Sequence, residues 1–141
     1  MPGVLVDTDV AIDFLRGAAY AQPFLATLWR EEKAVLSVLT VYELTAGMRD
    51  SEKLQTHNFI DACIVEHISQ DIARKGGELY RKYRGKGVTL TALDCLIAAT
   101  ALEKGYKIAT RNVRHYPEKG ILATLRQADP EPCVIRPLPG R

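Results

Sequence analysis

The amino-acid sequence predicts an α/β fold in which helices cover both faces of a central parallel sheet. Short apolar runs of strand length alternate along the chain with amphipathic stretches of helix length, which is the pattern of such folds. The chain has 141 residues, a length that corresponds to one domain, residues 1–141. Its content of 47% hydrophobic and 26% charged residues is that of a globular protein. This composition excludes a disordered chain and a disulfide-dense miniprotein.

The elements of the first half are predicted from apolar runs and helix-ending residues. Residues 4–6 form an apolar run directly before Asp7, which predicts a buried first strand. A helix over 9–17 ends at Gly17, and an amphipathic stretch predicts a second helix over 21–30. The elements that follow are a strand at 34–38, helices at about 40–49 and 51–61, and a strand at 63–67.

The second half contains the two longest predicted helices. Ser69 can cap a helix that extends to about Lys86, although Gly76 and Gly77 cost this helix roughly 1–2 kcal/mol in propensity. The next helix ends at Gly105. This second helix spans residues 92–104. It is followed by a strand at 107–109 and a polar loop at 110–117.

The C-terminal segment 130–141 is rich in proline and is predicted to be extended. It contains Pro130, Pro132, Pro137 and Pro139. Because proline cannot donate a ladder hydrogen bond, the segment holds at most one edge strand, near 133–135. The predicted architecture is therefore a three-layer α/β/α domain with a parallel sheet of four to five short strands.

Charge and cysteine content indicate the partners and the compartment. The formal net charge is +2, but residues 1–70 carry −5 and residues 71–141 carry +7, which favours a cation site beside a polyanion. Cys63, Cys95 and Cys133 show no CxxC spacing and are expected to be reduced. The apolar stretch at 90–102 is too short to span a membrane, and the N-terminus lacks the basic region of a signal peptide. We expect a cytoplasmic protein without membrane contact.

Two aspartates occupy positions that are predicted to be buried or to lie at a ligand-binding edge of the sheet. Asp7 follows the first strand, and ligands of parallel sheets bind at the carboxyl ends of strands; its alternative role is an N-cap. Asp94 is the only charge in the apolar run 90–102 and would be costly there without a partner. The pattern Thr91-x-x-Asp94 also fits a capping box, in which Asp94 reaches back to the Thr91 amide. Capping and metal binding are compatible for both acids.

Glu43 is a third candidate acid, on the helix over 40–49. A helical period places Val41, Leu44 and Met48 on one core stripe. Glu43 projects away from that stripe and is flanked by small residues, which leaves room for a ligand. The alternative is a solvated surface glutamate.

A polar segment follows the fourth strand and completes the set of candidates. Thr110 and Asn112 offer neutral oxygens, and Arg111, Arg114 and His115 offer donors suited to phosphate. The alternative is an ordinary polar surface turn.

Together these four segments resemble the PIN-domain ribonucleases and, among them, the VapC-type toxins of bacterial toxin–antitoxin pairs. The resemblance spans residues 3–116 and rests on VLVDTDVAIDFL, SVLTVYELTAG, LDCLIAATAL and IATRNVRHY. It implies a PIN-like fold and a metal-dependent endoribonuclease that hydrolyses RNA.

The resemblance also implies roles for individual residues. Asp7, Glu43 and Asp94 match the metal-binding acids of the family, and Asn112 matches a fourth catalytic position where many relatives carry aspartate. The matching supporting residues are Thr8, Thr110 and Asp9, the last of which could compensate for the neutral Asn112.

The chemistry of these residues agrees with the resemblance. Oxygen ligands without a His/Cys cluster favour Mg²⁺, with Mn²⁺ as the second possibility, over zinc. Such an ion activates water for attack on a phosphodiester. Arg111, Arg114, His115 and Lys119 are the expected RNA contacts, whereas the basic helix 74–86 is more typical of a solvated face.

The resemblance further implies protein partners. A small cognate antitoxin is expected to lay a helix on an apolar groove. Tyr20, Phe24 and Trp29 are candidates to line that groove, with core packing as the alternative for each. Relatives commonly dimerise, so a homodimer is expected.

Other functional classes remain as alternatives. The segment around Asp7 also resembles the opening motif of haloacid-dehalogenase-like phosphatases, in which Asp7 would be the nucleophile, but the late acidic pair of that family is missing. A receiver-like module and a non-catalytic PIN-like binding module are the non-enzymatic alternatives. The complete set of Asp7, Glu43 and Asp94 disfavours the last.

Overall fold

The computed structural model describes residues 3–123 and residue 125. The strands are β1 (Val4–Val6), β2 (Ala34–Ser37), β3 (Ile64–Glu66) and β4 (Lys107–Ala109). The helices are α1 (Thr8–Leu15), α2 (Ala21–Arg30), α3 (Val38–Gly47), α4 (Lys53–Asp61), α5 (Gln70–Gly85) and α6 (Ala92–Lys104). Short 3-10 helices span Asp50–Glu52 and Val113–His115. The predicted extended segment 130–141 and Cys133 lie outside the described residues.

The four strands form one parallel sheet in the order β3-β2-β1-β4. β1 is therefore an inner strand, paired with β2 on one side and β4 on the other. An isolated parallel bridge joins Ile108 to Leu122 beyond β4. Each strand and helix predicted within residues 3–123 is present, with ends at most two residues from those predicted, and the polar loop after β4 contains the second 3-10 helix. The edge strand predicted near 133–135 lies outside the described residues.

Helices pack on both faces of the sheet, which confirms the three-layer architecture. Successive strand residues point to opposite faces, so Leu5 and Ile108 belong to the core cluster that includes α5 and α6. Val6, Leu36 and Ala109 belong to the cluster formed with α1 to α4. The sheet thus separates two apolar cores.

Several helix ends follow the sequence signals. The Ser69 hydroxyl accepts a hydrogen bond from the Ile72 N–H at 3.1 Å and begins α5. Gly105, with φ of +72°, ends α6 in the left-handed conformation that glycine tolerates best. Gly76 is buried where α5 approaches α6, and a Cβ there would stand 3.0 Å from Leu96 Cδ2. Close packing therefore accounts for one of the two glycines in α5.

The predicted core stripe of α3 is wrong in two of its three positions. The buried residues of α3 are Thr40 and Leu44, whereas Val41 is only partly buried. Met48 lies beyond the end of the helix, in an extended conformation with ψ of 150°. The helix begins at Val38 and presents one turn, rather than two, to the core. Within residues 3–123, no helix is long and apolar enough to cross a membrane.

Candidate active site

The predicted acids meet in one cleft at the carboxyl edge of the sheet. The cleft has a volume of about 330 Å³. Its lining is formed by Asp7, Thr8, Asp9, Glu43, Thr91, Leu93, Asp94, Ile97, Asn112 and His115. β1 leads into this cleft through Asp7, and β4 leads into it through the 110–112 segment. The fold therefore joins residues that are widely separated in the sequence.

Asp7 is the most buried acid of the cleft, with 8% of the residue exposed. It is the N-cap of α1, since its Oδ1 accepts a hydrogen bond from the Thr8 N–H at 2.9 Å. Its Oδ2 accepts from the hydroxyls of Thr110 at 2.8 Å and Tyr116 at 3.1 Å. Burial, aided by the nearby charge of Asp9, raises the pKa of Asp7 to about 6 despite these bonds. The ionised form of Asp7 is therefore disfavoured in this site, and a bound cation would stabilise it.

Asp94 lies across the cleft at the start of α6. The Thr91 hydroxyl accepts a hydrogen bond from the Asp94 N–H at 3.1 Å, which is one half of the predicted capping box. The other half is wrong, because the carboxylate turns away from the Thr91 amide. Its Oδ1 lies 3.3 Å from the Tyr116 hydroxyl oxygen, and its Oδ2 lies 3.2 Å from His115 Nδ1. The side chain therefore faces the site rather than its own helix end.

Glu43 approaches from α3 and is tied to the first turn of α1. Its Oε1 accepts a hydrogen bond from the Thr8 hydroxyl at 2.6 Å. The same hydroxyl lies 3.3 Å from the hydroxyl of Thr40, a fully buried residue of α3. Thr8 therefore links the acid of one helix to the N-terminus of another.

The segment after β4 is held by Thr110 and Asp9. The buried Thr110 hydroxyl donates to Asp7 and accepts from the Asn112 N–H at 3.0 Å. Asp9 Oδ2 accepts from the Arg111 N–H at 2.8 Å, and Asp9 Oδ1 accepts from the Val10 N–H at 2.8 Å. Burial raises the pKa of Asp9 as well. Asp9 therefore orders the loop as well as lining the cleft.

Arg111 points away from the cleft into a buried ion pair. Its Nε lies 2.6 Å from Asp13 Oδ2, and Asp13 is completely buried. The Tyr20 hydroxyl donates to the same oxygen of Asp13. Only 17% of the Arg111 side chain is exposed, whereas Arg114 is an exposed residue. Sequence reasoning missed Asp13, although a charge inside the apolar first helix was a usable signal.

The aromatic residues expected to line a groove are divided between the core and the surface. Phe24 is buried in the core beside α1, so the core alternative holds for it. Tyr20 is bonded to Asp13. Trp29 lines a surface cavity with Phe14 and Phe59, and its ring meets that of Phe14 edge-on at 5.0 Å. A separate groove borders Glu43. Its apolar lining residues are Ile12, Leu15, Leu44 and Met48, and its charged and polar lining residues include Arg16, Glu52, Gln55 and Thr56.

The donor atoms in the cleft are those that hard divalent cations prefer. They are carboxylate, hydroxyl and amide oxygens, joined by the imidazole of His115 and without a thiolate among the lining residues. In the part of the chain that the structure describes, no three His, Cys, Asp or Glu side chains converge tightly enough to hold one ion together. Mg²⁺ retains several waters and is commonly held by one or two carboxylates. The donor set therefore fits an ion held through few direct carboxylate bonds.

Comparison with known proteins assigns the family. Residues 4–118 match the PIN domain family. The chain belongs to the PIN-domain family. It is 41% identical over 114 residues to "Ribonuclease VapC19" of Mycobacterium tuberculosis, across 80% of this chain and 91% of that protein. It is 35% identical to "Ribonuclease VapC10" of the same species, across 81% of this chain and 86% of that protein.

A solved structure supports the same assignment. The "Toxin-antitoxin complex from Klebsiella pneumoniae" matches with a TM-score of 0.73 and 26% identity, covering 88% of this chain and 98% of the matched chain. With the two relatives, this match places the chain among the VapC proteins of the PIN-domain family and confirms the predicted fold.

Replacement of Arg111 by alanine is expected to destabilise the fold. The completely buried Asp13 carboxylate would lose its guanidinium partner, and breaking a buried ion pair typically costs about 3–5 kcal/mol. The matched change Arg114→Ala, at an exposed position, should alter the free energy of unfolding by less than about 0.5 kcal/mol. Urea denaturation of both variants measures the difference. Equal stability of the two variants would contradict a supporting role for Arg111.

Replacement of Asp7 by asparagine is expected to stabilise the metal-free protein at neutral pH. The folded-state pKa of Asp7, about 6, lies above its ordinary value of 3.8. The folded state thus binds the proton more tightly than the unfolded state, and wild-type stability falls as pH rises from about 4 to 6. Above that window the ionised form costs on the order of 3 kcal/mol, a cost that asparagine lacks.

The check is urea denaturation of wild type and Asp7→Asn in EDTA at pH 7.5 and pH 4.5. The advantage of the variant should be large at the higher pH and shrink at the lower one. A difference that is the same at both pH values would show that the ionisation of Asp7 costs the fold nothing.

Proposed function

We propose that the protein is an endoribonuclease, the toxin component of a toxin–antitoxin pair, that hydrolyses RNA phosphodiester bonds in the cleft described above. The observation that carries the proposal is the meeting of Asp7, Glu43 and Asp94 on one cleft. The relatives that share 41% and 35% of their aligned residues with this chain are named as ribonucleases. PIN-domain membership leaves the phosphatase and receiver-like alternatives without support.

We further propose that the activity depends on Mg²⁺ or Mn²⁺. Asp7 and Asp94 would hold the ion directly, and Glu43 and the amide oxygen of Asn112 would contact it through the waters that Mg²⁺ retains. A bound divalent ion lowers the pKa of a water and stabilises negative charge on a phosphate. Asp9 lies beside Asp7 and adds negative charge, which supports cation binding where the neutral Asn112 replaces an acid.

The chain's own residues keep the acids in place before substrate arrives. Thr8 orients Glu43 through a 2.6 Å hydrogen bond, and Thr110 orients Asp7 from below the cleft. His115, about half exposed and in contact with Asp94, stands at the rim where a phosphate would enter. Such preorganised donors and acceptors keep the catalytic groups oriented as substrate binds.

RNA binding is proposed to use the exposed cations beside the cleft. Arg114 is exposed in the second 3-10 helix, and Lys119 is exposed in the segment that follows it. Arg111 remains a predicted contact, although its Nε is already paired with Asp13. The proposed site of action is the cytoplasm, where RNA is abundant. A homodimer stays a prediction.

The purified protein is expected to cleave RNA with Mg²⁺ or Mn²⁺ and to stop in EDTA, leaving 5′-phosphate and 3′-hydroxyl ends. Asp7→Asn and Asp94→Asn should each lower the rate by about 100-fold or more, because each removes a charge that the reaction requires. Asp71→Asn, at an exposed position of α5, is the matched control and should cleave like wild type. Undiminished cleavage by a folded Asp7→Asn/Asp94→Asn double variant would refute the proposal.

We also propose that a small cognate antitoxin neutralises the protein by binding beside the active site. The solved structure quoted above, which shares 26% identity with this chain, is a toxin–antitoxin complex. The apolar groove of Ile12, Leu15, Leu44 and Met48 ends at Glu43, so a helix laid in it would reach a catalytic acid.

Charge introduced into this groove is expected to prevent formation of the complex. Leu15 borders both this groove and the cavity that contains Trp29, so Leu15→Arg would place a cation where an apolar helix face would dock. Leu54→Arg, at a residue that is already 72% exposed, is the matched control. Co-purification after co-expression with the cognate antitoxin should fail for Leu15→Arg and persist for Leu54→Arg. Recovery of both variants in a tight complex would exclude this groove.

A further inference from the structure

Tyr116 connects two of the candidate metal ligands. Its hydroxyl lies 3.1 Å from Asp7 Oδ2 and 3.3 Å from Asp94 Oδ1. We propose that Tyr116 is a positioning residue of the metal site, whose hydroxyl sets the orientation of both carboxylates for a divalent cation. The inference rests on the proposed metal dependence and adds a residue that ends the motif IATRNVRHY but was not among the predicted site residues.

The ring of Tyr116 is rigidly held. The residue is 1% exposed and belongs to the core cluster between the sheet and helices α5 and α6. The cluster includes Ile97 of α6 and Ile108 of β4. The second 3-10 helix ends immediately before Tyr116, so the ring enters the core while its hydroxyl reaches the carboxyl edge of the sheet. Because the ring is buried and packed, the position of its hydroxyl is fixed, and the hydroxyl can orient the carboxylates beside it.

The two carboxylate oxygens of Asp7 accept different numbers of hydrogen bonds from the protein. Oδ2 accepts from both Thr110 and Tyr116, while Oδ1 accepts from the Thr8 N–H. Because a carboxylate oxygen offers about two acceptor sites, these contacts occupy Oδ2 and leave a site on Oδ1. Tyr116 therefore contributes to the choice of the oxygen that can face a cation.

The second contact of the same hydroxyl limits the movement of Asp94. Asp7 and Asp94 are both negative when ionised, and they repel each other. The hydroxyl between them has one proton, which it can donate to Asp7 or to Asp94, and this donation stabilises the charge of the carboxylate that accepts it. Outer partners that orient metal ligands in this way commonly contribute 10–100-fold to metal affinity.

The variant that isolates this role is Tyr116→Phe, because it keeps the packed ring and removes only the hydroxyl. Tyr106→Phe is the matched control, since it removes a tyrosine hydroxyl that donates to the Glu66 carboxylate at 2.6 Å outside the cleft. Mn²⁺ titration of each protein, followed by electron paramagnetic resonance of the free ion without RNA, gives the metal affinity directly. Urea denaturation in EDTA establishes that each variant is folded.

We expect Tyr116→Phe to bind Mn²⁺ about 10-fold more weakly than wild type, and Tyr106→Phe to bind like wild type. RNA cleavage by Tyr116→Phe should recover when the Mn²⁺ concentration is raised by a similar factor, which a loss of folding would not permit. Unchanged or tighter Mn²⁺ binding by folded Tyr116→Phe would overturn the inference. Absence of Mn²⁺ binding by wild type would instead refute the metal dependence itself, so the two failures are distinguishable.

Discussion

The buried carboxylate of Asp7 is the constraint on which the functional end of the fold depends. Burial raises its pKa to about 6, so the ionised form needs several donors to remain in place. These donors come from three parts of the chain: the N–H of Thr8 in α1, the hydroxyl of Thr110 after β4, and the hydroxyl of Tyr116 after the second 3-10 helix. The contacts that hold one acid therefore also join these three segments.

The strand order explains why the acids converge. β1 lies between β2 and β4, and the register that pairs Val6 with Ala109 makes Asp7 and Thr110 neighbours at the same edge. Glu43 comes from α3, in the layer that packs with α1, and Asp94 comes from α6, in the opposite layer. The cleft is thus shared between the two helical layers, and metal binding would draw on both.

The sequence predicted the elements well because their signals are local. The apolar run before Asp7 and the caps at Ser69 and Gly105 mark boundaries without reference to the rest of the chain. The partners of buried charges were not predictable in this way. Tyr116 was not selected as a site residue because its contact with Asp7 depends on the tertiary fold. The pairing of Arg111 with Asp13 likewise depends on how the loop after β4 lies against α1. The α3 stripe failed for a similar reason, since the end of the helix decides which turn meets the core.

The charge asymmetry between the two halves of the chain acquires a different meaning in the folded protein. A surplus of +7 in residues 71–141 suggests a broad basic surface, yet Arg111 is paired with Asp13 and Lys82 with Glu118. Arg111 stabilises the fold through a buried pair, whereas the exposed pair of Lys82 only offsets part of its charge. Attraction of RNA to the cleft must then come from the exposed cations beside it, of which Arg114 lies nearest in sequence to Asn112 and His115. The position of each cation, rather than the sum, determines the electrostatic approach to an acidic site.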